Sequence, residues 1–330
     1  MDLPGHGESP PLELAGRSVR KLAASVIALS PVTADAQHDA VRGAGHHGVM
    51  AISGVGMTAK MSAAGRALES RRPDRLFDDP LAQALAGEDG FRWMEELRPP
   101  GSPAENPSIG PRTWFFDQLV TRAAGDGFGQ VVLLAAGMDT RAFRLPLPAG
   151  TIIYELDDQA VLAGKQAILD REHATPRCIR RPVAADLAQA QWPVALAAAG
   201  FNPGAPAAFV AEGLTYYLPE QADALLLDRA ASIATPGSRL GVDMVSADYL
   251  TNPGVAPYLE LAASRGARWQ FGSNDPGGFL AAHGWQADIH DMFAVARSLG
   301  RWPPPGVPDD VANRATAIGR NWFISATRVP

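Results

Sequence analysis

The stretch QVVLLAAGMDTR, residues 130–141, decides the fold. Val131, Val132, Leu133 and Leu134 form an unbroken apolar run, closed on one side by Gly127 and Gly129 and on the other by small residues. A short run of this kind, rich in β-branched side chains and bounded by turn signals, reads as a strand buried on both faces. Ala135, Ala136 and Gly137 follow at once. Small residues at a strand end let the backbone approach a ligand closely, and open parallel sheets bind their ligands at such ends.

Outward from this strand the same rhythm repeats. TIIYELD (151–157), CIRRPVAAD (178–186), AAFVAEGLT (207–215) and SRLGVDMVS (238–246) read as four further strands. Helical stretches fill the gaps at 158–170, 188–199, 219–234 and 277–283. Strands separated by helices build βαβ units and a parallel sheet. GWQADIHDM (284–292) and NWFISATRV (321–329) come late and are expected to form an antiparallel edge. The expected fold is therefore α/β: a doubly wound, mostly parallel seven-stranded sheet with N-terminal helices and a lid segment.

Upstream, TAKMSAAGRALES (58–70) is rich in helix formers, and residues 78–98 read as helix, break, helix. TWFFDQLVTRAAGD (113–126) reads as a helix with Trp114, Leu119 and Phe115 facing inward. Residues 1–50 are rich in Gly, Pro, Ala, Ser and His without periodicity and read as a mobile extension. The division expected is an extension over 1–50 and one domain over 51–330. That domain comprises a helical cap to 125, a core from 126 and a lid near 249–275, where Tyr249, Tyr258, Trp269 and Phe271 gather.

The bulk numbers exclude several classes. A net charge of −6, with no clustered basic surface, argues against a nucleic-acid partner. Arg71, Arg72 and Arg75 are interleaved with Asp74, Asp78 and Asp79 and read as a solvated helix end. The single cysteine, Cys178, excludes an internal disulfide framework, and no metal-ligand spacing appears. No apolar run reaches membrane-spanning length. Residues 17–36 have the outline of an export signal, but Ser25, Ser30 and Pro31 interrupt the apolar part, so a cytoplasmic location is expected.

Acidic residues stand at three successive strand ends. Glu155 or Asp157 after the second strand can accept both hydroxyls of a ribose. Asp186 after the third can accept an adenine amino group, and Glu212 after the fourth precedes Tyr216 and Tyr217. Singly, each is ordinary helix-capping or packing material. Together, behind a small-residue first loop, they describe a nucleoside site. That loop is not G-x-G-x-x-G, which disfavours a nicotinamide or flavin oxidoreductase.

The chain resembles a known family on an ordered set of motifs: LLAAGMDTRAFRL, YELD, AADL and AEGLTYYLPEQ, with TAKMSAAGRALESRRPDRLFDDPLA and PRTWFFDQLV upstream. These are similar to the leucine carboxyl methyltransferase family and its actinobacterial branch of small-molecule O-methyltransferases, over residues 58–328. The resemblance implies S-adenosyl-L-methionine as cofactor and a small-molecule or natural-product acceptor. It implies that Lys60 and Arg112 hold the carboxylate of the cofactor's methionine part, and that Ala135, Gly137 and Asp139 lie against its sulfonium portion. Glu155 or Asp157 would bind ribose, Asp186 and Leu187 adenine, and Glu212 the amino group, while Tyr217 would face the acceptor. The family usually carries glycine where this chain has Ala135, and the extra methyl is expected to crowd the cofactor.

Methyl transfer asks little acid–base chemistry of a protein beyond alignment and exclusion of water. A carboxylate acceptor, ionised at neutral pH, needs no base, whereas a hydroxyl would want one such as histidine. His283 and His290 are candidates by position only, so a carboxylate acceptor is favoured, with Tyr217 and Arg112 as the residues nearest the chemistry. The rival reading is a cofactor-binding protein without turnover.

Overall fold

The apolar runs pair into one sheet. The computed structural model describes residues 54–97, 108–307, 316 and 319–330, so the expected extension lies outside the described residues. Five strands run parallel: β1 (Gln130–Leu134), β2 (Ile152–Asp157), β3 (Ile179–Ala184), β4 (Ala207–Ala211) and β5 (Arg239–Val245). β6 (Trp285–Asp291) and β7 (Asn321–Arg328) complete the edge, β7 pairing antiparallel with both β5 and β6. The order is β3-β2-β1-β4-β5-β7-β6. The chain thus winds one way from β1 to β3 and the other way from β4 onward, so a crevice opens over the carboxyl ends of β1 and β4.

Side-chain alternation along each strand supplies two cores. Val131 and Leu133 join Ile153, Ala208 and Val210 on one face. Val132 and Leu134 join Tyr154, Phe209, Val242 and Trp285 on the other. Helix α1 (Gly54–Ser70) packs on α2 (Ala82–Glu96), and α3 (Ile109–Gly125) packs against the first face of the sheet. The expected break in the second helix is a kink at Gly87, at φ 55°. A methyl at Gly90 would sit 2.5 Å from the Lys60 carbonyl, so the approach of α1 to α2 needs that glycine. The inward face of α3 differs from expectation. Phe116, Leu119 and Val120 are buried, while Trp114 and Phe115 are only half-buried, because a 3.6-residue period carries the stripe from Phe116 to Val120 and Ala123.

Shorter helices follow the strands: α4 (Arg141–Arg144) after β1, α5 (Gln159–Arg171) after β2, α6 (Trp192–Ala198) after β3 and α7 (Glu220–Ile233) after β4. After β5 come α8 (Ala247–Thr251), α9 (Ala256–Ser264) and α10 (Pro276–Ala282). Helix α11 (Met292–Ser298) links β6 toward β7. Among the described residues, no helix is long and apolar enough to cross a membrane.

Candidate active site

The turn after β1 is built from two residues in the left-handed region, Ala135 at φ 59° and Gly137 at φ 46°. A methyl on Gly137 would lie 2.8 Å from the Cβ of Ala59 on α1, so the turn fits beneath that helix only as glycine. Its amide donates to Asp157 Oδ2 at 2.6 Å, and the Asp158 amide donates to Asp157 Oδ1 at 2.7 Å. Asp157 therefore fixes the first loop while each of its oxygens keeps a further lone pair. Burial raises its pKa despite these bonds.

Beneath the turn lies an ionic network. Glu212, just past β4, accepts from Arg112 Nε at 3.1 Å and from Arg141 Nη2 at 2.7 Å. Arg112, on α3, also reaches Asp243 Oδ2 of β5, the Tyr216 hydroxyl and Ser62 Oγ, each at 3.3 Å. Arg141 donates from Nε to Asp117 at 2.8 Å and pairs with Asp139. Arg144 takes both Asp117 oxygens, at 2.5 and 2.7 Å. Arg66 bonds Asp79 at 2.8 Å and the Met138 carbonyl at 2.5 Å. Pairing is what makes these buried charges tolerable. Burial alone would raise Glu212, but Arg141 and Arg112 outweigh it and hold it below the usual carboxylate range. Asp139 is lowered in the same way, with burial overcome by Arg141, Lys165 and Arg144. Asp243 goes the other way: burial outweighs Arg112 and the Gly213 amide and raises it.

The four guanidiniums of this network, with Asp139 and Glu212, wall one cavity of about 250 Å³. Ala135, Gly137, Asp139, Asp157, Arg112, Glu212 and Tyr217 all line it. Tyr216 and Tyr258 complete an aromatic side. Seven of the eleven residues expected from the sequence thus meet in one place.

Four do not line this wall, each for a visible reason. The Lys60 ammonium turns to Asp89 on α2, 3.5 Å away, so a role on the cofactor's carboxylate is not supported for it. Glu155 is fully buried, accepts a hydrogen bond from Lys165 and forms an ion pair with Arg180, both at 2.8 Å. Glu155 lies within β2 and is held by those cations below the crevice, and of the two ribose candidates only Asp157, the last residue of the strand, reaches it. Asp186 is exposed just past β3, its Oδ1 accepting from the Ala188 amide at 2.9 Å, and Leu187 is buried beside it in the core. Nor does either candidate histidine line the cavity. His283 pairs with Asp228 at 2.7 Å, and His290 packs against Phe115 beside Asp288.

Arg141, Arg144 and Asp243 were not singled out from the sequence. The signal was present for Asp243, an acid inside the apolar strand run SRLGVDMVS, since a carboxylate in a buried strand demands a partner. Asp243 holds two things: Oδ1 accepts the Gly213 amide at 2.6 Å, and its carbonyl accepts the Thr215 hydroxyl at 2.7 Å.

The profile of the leucine carboxyl methyltransferase family matches residues 59–231. A Streptomyces avermitilis protein with the provisional name S-adenosyl-L-methionine-dependent methyltransferase is 43% identical over 256 residues, which cover 76% of this chain and 89% of that protein. A Mycobacteroides abscessus protein of the same provisional name is 37% identical over 288 residues, covering 81% and 91%. The crystal structure of a DUF574 family protein from Streptomyces avermitilis matches with a TM-score of 0.53 at 13% identity, over 83% of this chain and 97% of that one. A Thermobifida fusca crystal structure with the provisional name methyltransferase gives 0.54 at 13% identity, over 82% and 94%. The structures speak to the shared fold, and the sequence matches speak to descent. With the profile spanning more than half its length, this chain belongs to the leucine carboxyl methyltransferase family.

Proposed function

We infer that the protein is an S-adenosylmethionine-dependent O-methyltransferase acting on a small-molecule carboxylate. The observation that carries this reading is the convergence of Asp139, Asp157 and Glu212, from the ends of β1, β2 and β4, on one cavity that the small residues Ala135, Ala136 and Gly137 of the β1 turn also line. The fit to the cofactor rests on charge and shape. The wall carries Asp139, Asp157 and Glu212 beside the guanidiniums of Arg112 and Arg141, charges of both signs that suit a zwitterionic ligand, and the missing Cβ of Gly137 leaves the turn close under α1. In this reading Asp157 accepts ribose hydroxyls, Arg112 holds the methionine carboxylate and Glu212 takes the amino group. Asp186, with Oδ2 free beside its capped Oδ1, meets the adenine amino group. When bound, the sulfonium supplies a methyl group whose bond electrons stay on sulfur, so an acceptor oxygen already ionised gains it with no proton to move.

The choice of carboxylate follows from what the wall offers as a base. Among the described residues that line it there is no histidine. Glu212 and Asp139 are held by guanidiniums, and burial raises Tyr217, which keeps its phenol protonated. With Asp157 taken up by ribose in this reading, a hydroxyl acceptor would find neither a histidine nor an unengaged carboxylate of the β1 or β4 loop to take its proton. The test is calorimetric titration with S-adenosylhomocysteine and, in parallel, NAD, followed by transfer from labelled S-adenosylmethionine to a panel of carboxylic acids and phenols. Binding of S-adenosylhomocysteine and an alkali-labile product are expected. Binding of NAD alone, or an alkali-stable ether, would overturn the reading.

A further inference from the structure

We propose that the lid side of the cavity is a subsite for a planar aromatic carboxylic acid, with Tyr258 of α9 positioning its carboxylate through the phenol hydroxyl. The proposal rests on the methyl-transfer reading above and adds the acceptor's class.

Three rings face the cavity: Tyr216, Tyr217 and Tyr258. Trp269 buttresses all three, with centroids at 4.2, 6.2 and 5.7 Å, and itself stacks on Tyr249 at 5.7 Å and 24°. The arrangement is stitched to the β4 loop by backbone. The Gln270 amide donates to the Tyr216 carbonyl at 2.6 Å, and Gln270 Nε2 donates to the Tyr217 carbonyl at 2.5 Å. Fixed ring faces favour a flat, π-bearing partner over a puckered one of equal volume, by stacking or edge contact.

The hydroxyls are not equivalent. Tyr216 accepts from Arg112, and Tyr217 bonds the Thr58 side chain. Among the described residues no group hydrogen-bonds the Tyr258 hydroxyl. A phenol lining a cavity usually finds a partner, so this donor is left for a ligand. A neutral donor is also the right kind. The four guanidiniums lining the cavity are all engaged by protein carboxylates. An acceptor carboxylate loses charge as it becomes an ester, so a tight ion pair would stabilise it more before reaction than during it. A phenol orients the oxygen with less of that penalty.

The experiment uses the full chain loaded with S-adenosylhomocysteine, and benzoate and cyclohexanecarboxylate at pH 7.5 as matched flat and puckered probes, with calorimetric or saturation-transfer NMR readout. Benzoate is expected to bind at least about fivefold more tightly than cyclohexanecarboxylate, the scale of an aromatic contact. Tyr258→Phe should weaken benzoate by about fivefold, the worth of one hydrogen bond, with the affinity for S-adenosylhomocysteine and the Tm unchanged. Equal affinity for the two acids, binding of neither, or an unaltered benzoate affinity in Tyr258→Phe would overturn the subsite while S-adenosylhomocysteine still binds. Failure of S-adenosylhomocysteine to bind would overturn this proposal and the methyl-transfer reading together.

Discussion

Arg112 Nε stands 3.1 Å from Glu212 Oε1, joining α3 to the end of β4 across 100 positions of chain. Glu212→Gln keeps the shape and removes the charge that both Arg112 and Arg141 face. Stability is expected to fall by about 3 kcal/mol, the cost of leaving buried guanidiniums short of a partner. Affinity for S-adenosylhomocysteine is expected to fall by about tenfold or more, since a charged hydrogen bond is lost as well. Because Arg141 and Arg112 overcome burial and depress the Glu212 pKa, its contribution is present above the ordinary carboxylate range and lost as pH falls through the folded value. Urea denaturation of both proteins at pH 7 and pH 4 checks this: the gap between them should narrow at the lower pH.

Ala135 occupies a left-handed conformation, φ 59°, that costs a residue with a Cβ about 1–2 kcal/mol. The sequence pointed to crowding by its methyl group; the structure adds backbone strain at the same atom. Ala135→Gly should raise stability by about 0.5–1 kcal/mol, the strain relieved being partly offset by the freer unfolded chain. Affinity for S-adenosylhomocysteine should hold or improve. A drop in Tm would show that the turn is not strained in solution.

Asp186 tests the nucleoside end. Asp186→Ala should weaken S-adenosylhomocysteine by about 1–3 kcal/mol if its free oxygen meets the adenine amino group. Unchanged affinity would reduce Asp186 to the cap of the turn it makes with Ala188.

Tyr217→Phe removes the hydroxyl that ties this ring to Thr58, and so tests whether the placement of the ring aligns the acceptor. Turnover should fall by about one to two orders of magnitude, with cofactor affinity within about twofold, because lost orientation costs rate more than binding. The rate should stay flat from about pH 6 to 8, above the ionisation of a carboxylic acid. A rise through a pKa near the histidine value, about 6.5, would instead reveal a base and a hydroxyl acceptor.

Asp223 is a separate matter of stability. It is fully buried on the core face of α7, with neither oxygen hydrogen-bonded among the described residues, and burial raises its pKa to about 7. Below the unfolded value of 3.8 both states carry the proton and nothing is lost. As pH rises from there to about 7, the unfolded chain releases its proton and the folded one resists, so stability drains away across that window. Asp223→Asn should therefore be more stable than the parent by about 2–4 kcal/mol at pH 8, and by progressively less toward pH 4. Denaturation curves at the two pH values would reveal a constant gap if the carboxyl were not the cause.

Much of the fold was legible because its signals are local. The apolar run 131–134, its repeats and the helical stretches between them set seven strands and a reversal of winding, and the antiparallel edge followed from two late runs. The face of α3 was misread because Trp114, Phe115 and Phe116 are adjacent, and three neighbouring aromatics leave the helical phase ambiguous until something packs against them.

The sequence by itself determined which strand ends carry acids and which turn must be small, since those depend on residues next to one another. Tertiary structure decided which of them share a cavity. Glu155 and Asp157 differ by two positions, yet one is buried against Lys165 and Arg180 and the other bonds the Gly137 amide, because the end of a strand turns one toward the helix layer and the other toward the loop. Lys60 was drawn to Asp89 by the packing of α1 on α2. The network of Arg141, Arg144, Asp117, Arg112 and Asp243 exists only where three distant segments meet, and no local pattern encodes a pairing energy that arises from removing those charges from water together.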